Sequence, residues 1–122
     1  ALLNLGHTFA HAIEAVAGYG DYLHGEAVGI GLLCALRLSL NYGMCKENDE
    51  DMIRQLLVNY ELPHFLRSPL LIDELIEVMK SDKKVYRGNL RFVLMREIGE
   101  AYIEENVDLS KVYEVWKSVG AE

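Results

Sequence analysis

Residues 25–38, G-E-A-V-G-I-G-L-L-C-A-L-R-L, constrain the fold more than any other stretch. Wound as a helix, the segment is apolar on nearly every side, so it has to run through the middle of a core. Its uninterrupted apolar run, residues 27–36, is too short to span a bilayer and ends at Arg37. Gly25, Gly29 and Gly31 each cost a helix roughly 1 kcal/mol against alanine. Glycines so spaced imply that another backbone, or a ligand, comes close. The pattern predicts a helix from about 24 to 42, closed by Gly43.

Around this rod the periodicity predicts four further helices. Leu2, Leu5, Phe9, Ile13 and Ala17 repeat at three to four residues, and Gly18 is placed to end that helix. Asn48 or Asp49 is a candidate cap for a helix with Met52, Ile53, Leu56 and Leu57 inward, ending before Leu62-Pro63. Leu71 to Met79 carries Ile72, Leu75, Ile76 and Met79 on one face, and residues 82–88 read as a loop. Residues 90–95 and 100–107 read as strands joined at Ile98-Gly99, a hairpin. A last helix begins near Leu109, capped by Asp108 or Ser110, with Val112, Val115, Trp116 and Val119 inward. With no repeat, low-complexity tract or linker, the expectation is one mainly α domain over residues 1–122 with a small β-hairpin.

A chain of 122 residues, 51% hydrophobic and 25% charged, can bury one real core. Its net charge of −7 and lack of a basic stripe argue against nucleic-acid binding. The one compact basic cluster, Lys80, Lys83 and Lys84 with Arg87, suffices for a single phosphate or carboxylate; solvated loop lysines are the plainer reading. Cys34 and Cys45 lack CxxC spacing, and Cys34 sits in the apolar run, which suggests a reduced, buried thiol. No charged n-region precedes an apolar stretch, so no signal peptide is expected, and the expected location is the cytoplasm. The chain opens at Ala1 directly into patterned apolar material, which reads as a fragment of a longer protein.

Three of the four histidines lie in the first two dozen residues. His7 and His11, four apart, share a helix face, with about 5–6 Å between β-carbons, and Glu14 continues that line. His24 opens the next helix and can fold back across the turn at 18–21. Imidazoles so gathered can ligate zinc, whose catalytic sites usually take three protein ligands and keep one place open. Hydrogen-bonded core or surface histidines would give the same spacing. The pattern is not HExxH, because Thr8 stands where that motif has its glutamate. Glu26 could support His24 from its own helix, but an acid in a first turn is expected from the helix dipole, and the structural reading is preferred; Glu14 is read the same way. His64, beside Pro63, is read as unrelated to the site.

The wording around the histidines is more specific. L-N-L-G-H-T-F-x-H-A-I-E-A (3–15), L-H-G-E-A-V-x-x-G (23–31) and D-K-K-x-x-x-G-x-L-R-F-V-L (82–94) together resemble the C-terminal domain of the 3-dehydroquinate synthase family, one of the sugar phosphate cyclases. The resemblance runs from Leu2 to about Gly99. It implies an enzyme, a phosphate-eliminating carbon–oxygen lyase, that converts DAHP to 3-dehydroquinate in the shikimate pathway of aromatic amino acid synthesis. It further implies zinc, or another divalent ion such as cobalt, and NAD used catalytically: a hydroxyl is oxidised, phosphate leaves, the carbonyl is reduced, and the ring opens and recloses. The family pairs this helical half with an N-terminal NAD-binding α/β domain, absent from this chain, and its members form dimers.

By the same resemblance His7 and His24 match the metal's two histidine ligands, the third being a glutamate of the other domain. His11 matches a histidine near the substrate phosphate that can move protons. Asn4 and Lys83 match substrate-contacting residues, Lys83 as a point charge suited to an anion. The family's arginine upstream of L-N-x-G-H falls before Ala1. Lacking a ligand and the NAD site, the fragment alone is expected to be inactive. The rival readings are a related cyclase such as 2-deoxy-scyllo-inosose synthase, an iron-dependent alcohol dehydrogenase, whose spacing fits poorly, and a non-catalytic helical module.

Overall fold

The computed structural model describes residues 6–18, 20–82 and 90–122. Five helices and one hairpin follow in the order α1 (His7–Ala17), α2 (His24–Asn41), α3 (Glu47–Asn59), α4 (Ile72–Asp82), β1 (Leu90–Glu97), β2 (Glu100–Val107) and α5 (Leu109–Ser118). The expected mainly α architecture with a hairpin is what forms.

Helix α2 is the central rod: it touches α1, α3, α5 and β1. Ala27, Ile30, Leu33, Cys34, Ala35, Leu36 and Leu38 are buried along it, on more than one face. This all-round burial is what its apolar sequence requires. Around it, Phe9 of α1 stacks at 5.3 Å on Phe92 of β1 and edge-on at 5.2 Å on Trp116 of α5. The Trp116 indole N–H points to Met79 Sδ of α4 at 3.4 Å, so the largest buried ring keeps a partner for its polar edge.

The glycines of α2 divide. A Cβ on Gly31 would lie 2.3 Å from the Gly6 carbonyl oxygen and 2.9 Å from Ala10 N, so α1 crosses α2 backbone to backbone. Gly29 faces the Leu57 side chain of α3, whereas nothing lies within 4 Å of Gly25, where the expected close approach is missing among the described residues.

Helix starts differ from the sequence expectation in two places. Gly6, at φ 80°, is the N-cap of α1, and the helix begins at His7. Leu2, Leu5 and most of the 82–88 loop lie outside the described residues. Helix α3 starts at Glu47, with Lys46 as N-cap; Asp49 contributes from inside the first turn, accepting the Lys46 N–H at 2.9 Å. Met52 and Leu56 are 49% and 48% exposed, against an expected inward position, because α3 packs mainly against α2 and only Ile53 and Leu57 reach the core. The α4 and α5 faces are buried as expected, and Asp108 caps α5 by accepting the Ser110 N–H at 3.0 Å.

The hairpin pairs antiparallel, with Val93 opposite Ile103 and Leu94 opposite Tyr102. It is tied to the rod by Ser39, whose buried hydroxyl donates to Ala35 O at 2.7 Å and accepts the Met95 N–H at 3.0 Å. No helix among the described residues is long and apolar enough to cross a membrane.

Candidate functional site

Helices α1 and α2 are antiparallel neighbours: Gly6 meets Gly31 at one end, and Glu14 meets His24 at the other. The turn between them contains Gly18 and Gly20, both at positive φ, and the Gly18 N–H closes α1 onto Glu14 O at 3.1 Å. The fold-back across this turn places His24 over the face of α1 that carries His7 and Glu14.

The His7 and His24 rings meet edge-on, with centroids 6.0 Å apart and planes at 62°. A metal bond of about 2.0–2.1 Å puts an imidazole centroid roughly 3.2 Å from the ion, so two rings on one ion have centroids within about 6.4 Å. That limit is the collinear case; a tetrahedral angle puts the centroids about 5.2 Å apart, so the rings at 6.0 Å share one tetrahedral ion after closing by under about 1 Å. Both side chains are exposed, His24 to 70%.

His24 is not held by rotamer preference alone. Its Nδ1 lies 3.3 Å from Glu14 Oε1 and 3.4 Å from Oε2. Glu26, the alternative considered for this role, is engaged elsewhere. It accepts the Leu23 N–H at 2.9 Å and pairs with the Arg67 guanidinium. Those contacts, the Arg67 hydrogen bond foremost, hold its carboxyl below the ordinary 4.5.

Arg67 is the residue that sequence reasoning passed over. From the segment between α3 and α4 it donates to Asp21 O at 2.9 Å and lies 4.6 Å above the Tyr22 ring, and its backbone N–H donates to Tyr22 Oη at 2.9 Å. It therefore clamps the turn from which His24 projects. Arg67 stands 41 residues from Glu26, and no local spacing announces such a pair.

Of the other predicted site residues, His11 lies half-buried on α1, one turn beyond His7. Asn4 and Lys83 lie outside the described residues, as do Lys84 and Arg87; Lys80 leans toward Glu77 at 3.8 Å. Among the described residues no group of three or more His, Cys, Asp or Glu side chains is gathered as a metal cage.

Comparison with known proteins places the fold first. A 2-epi-5-epi-valiolone synthase from Streptomyces hygroscopicus subsp. jinggangensis, with NAD+ and Zn2+ bound, superposes with a TM-score of 0.80 at 23% identity, over 97% of this chain and 32% of its own. A 2-deoxy-scyllo-inosose synthase complexed with carbaglucose-6-phosphate, NAD+ and Co2+ gives 0.76 at 22% identity, over 97% and 35%. The architecture is thus that of the helical part of sugar phosphate cyclases. The family model described as 3-dehydroquinate synthase C-terminal matches residues 1–85, and the chain belongs to that family. It is 47% identical over 121 residues to the 3-dehydroquinate synthase of Opitutus terrae and 42% identical over 116 residues to that of Dictyoglomus turgidum. The match takes in 99% and 95% of this chain but 34% and 32% of those proteins, so the chain spans about a third of their length.

Proposed function

We propose that the chain is the metal- and substrate-binding part of a 3-dehydroquinate synthase, a cytoplasmic enzyme that converts DAHP to 3-dehydroquinate with loss of phosphate. The observation that carries this reading is the edge-on approach of His7 and His24 at 6.0 Å, within the stretch that the family model matches. The NAD+ and the Zn2+ or Co2+ of the structural neighbours support the same pair of cofactors here.

In this reading His7 and His24 hold a divalent cation, and a glutamate from an N-terminal NAD-binding domain completes the set. When bound, the cation supplies Lewis acidity toward the substrate hydroxyl, and NAD supplies a reversible hydride store. His11, on the same face of α1, accepts or returns a proton at a ring nitrogen as phosphate departs. Asn4 orients the substrate by hydrogen bonding, and the Lys83 ammonium neutralises its anionic end. The active form is a homodimer of the whole protein, and this chain alone does not turn over.

Phosphate release from DAHP by the whole protein, with NAD and zinc, is the test. Release that depends on both cofactors and falls on His11→Ala is expected. No release from DAHP, but turnover of a hexose 6-phosphate, would reassign the chain to another cyclase of the same fold. Turnover by the 122-residue chain alone would refute the need for a second domain.

A further inference from the structure

We infer that Glu14 is a positioning residue for the metal site: it fixes the tautomer and the heading of the His24 ring. The inference rests on the reading of His7 and His24 as metal ligands and adds to it a residue that touches neither metal nor substrate.

A carboxylate can only accept, so a neutral His24 facing Glu14 through Nδ1 at 3.3 Å carries its proton on Nδ1. The lone pair is then on Nε2, at the far side of the ring, and a metal binds a neutral imidazole through that lone pair. The two helices make the contact specific. Glu14 is at the last turn of α1 and His24 is the first residue of α2, with a turn between them that Arg67 clamps through Asp21 and Tyr22. The Glu14 side chain is only 17% exposed, whereas His24 is 70% exposed and has little packing of its own to orient it. The carboxylate on His24's own helix, Glu26, is occupied by Leu23 and Arg67. The exposed ring thus takes its orientation from a half-buried acid on the neighbouring helix.

Loss of such an outer partner typically weakens metal binding about 10–100-fold. Zinc affinity of the whole protein, read by competition with a chromophoric chelator, should fall by that factor in Glu14→Ala and in Glu14→Met, which preserves side-chain bulk without an acceptor. Glu14→Gln, whose amide oxygen still accepts from Nδ1, should stay within about threefold of the parent. The cobalt(II) visible spectrum should shift in the first two variants and not in the third. Nitrogen-15 NMR of the unmutated, metal-free protein reads the tautomer without any substitution: neutral His24 should carry its proton on Nδ1. A proton on Nε2, or parental zinc affinity in a folded Glu14→Met protein, would overturn the inference. If His7→Ala and His24→Ala also leave zinc affinity unchanged, the metal-site reading itself falls. If they abolish binding while Glu14→Met does not, only the role of Glu14 is lost.

Discussion

The carbonyl oxygen of Gly6 occupies the space that a side chain on Gly31 would need: a Cβ there would come within 2.3 Å of it. This contact sets how closely α1 and α2 approach, and His7 follows Gly6 directly in the chain. Backbone, not a movable side-chain tip, stands in the way. Gly31→Ala should therefore destabilise the fold by at least about 3 kcal/mol, the upper end of ordinary overpacking. Urea denaturation of the variant measures it, and a loss below about 1 kcal/mol would show that the helices can separate cheaply.

Ser39 joins the central rod to the hairpin through one buried hydroxyl. Ser39→Ala leaves the Met95 N–H without that acceptor. The expected cost is about 1–3 kcal/mol, the penalty of an unsatisfied buried donor. Hydrogen exchange at the Met95 amide should accelerate along with the drop in urea midpoint.

The Glu26–Arg67 pair gives the fold an acid-sensitive component. The folded-state value of Glu26 lies below its ordinary 4.5, chiefly through the Arg67 hydrogen bond and then the Leu23 N–H. A depressed acid contributes stability above its unfolded value and loses it as pH falls through the folded one. Stability should therefore decline below about pH 4.5, and Arg67→Ala should flatten that part of the profile. Urea midpoints measured from about pH 6 to pH 3 check the difference between the two curves; parallel curves would contradict it.

The thiols should differ in reactivity. Cys34 is fully buried, and burial pushes its thiol up to about 12. Cys45 is partly exposed and raised too, first by burial and then by Asp49 and Glu97, with its Sγ directed at Met95 O at 3.2 Å. At neutral pH an aromatic disulfide reagent should label Cys45 slowly and Cys34 only after denaturation, because the thiolate is the reacting form. Mass spectrometry of peptides from the native protein reads both sites.

The parts of the fold that were legible in the sequence are those in which local pattern and tertiary demand agree. Ile72, Leu75, Ile76 and Met79 form a stripe on α4 and are buried as that stripe requires. The all-apolar stretch of α2 had to be central, and the Gly31 contact is the close approach its glycines implied. Where the outcome depends on how many neighbours a helix has, the pattern misled: Met52 and Leu56 complete a stripe on α3, but no described element covers them. The start of α1 was not legible because the leucine period runs on through Gly6, whose left-handed backbone makes it the N-cap.

The candidate site was half legible for a similar reason. His7, His11 and Glu14 are linked by helical spacing, and His24 by the shortness of the turn. By sequence Glu26 and Glu14 have the same structural reading, because neither spacing nor helix position says which acid meets His24; in the fold the carboxylate that reaches the ring is Glu14, from the other helix. Arg67 left no trace in the pattern, since its partners lie 41 to 46 residues away.

The most direct test of the site is a double-mutant cycle on zinc affinity in the whole protein, with His7→Ala, His24→Ala and both together. If the two imidazoles share one ion, each single change should weaken binding by more than the roughly 10–100-fold of a lost outer partner, and the pair should be far less than additive. Additive losses, or parental affinity in either single variant, would mean that the two rings do not hold a common cation.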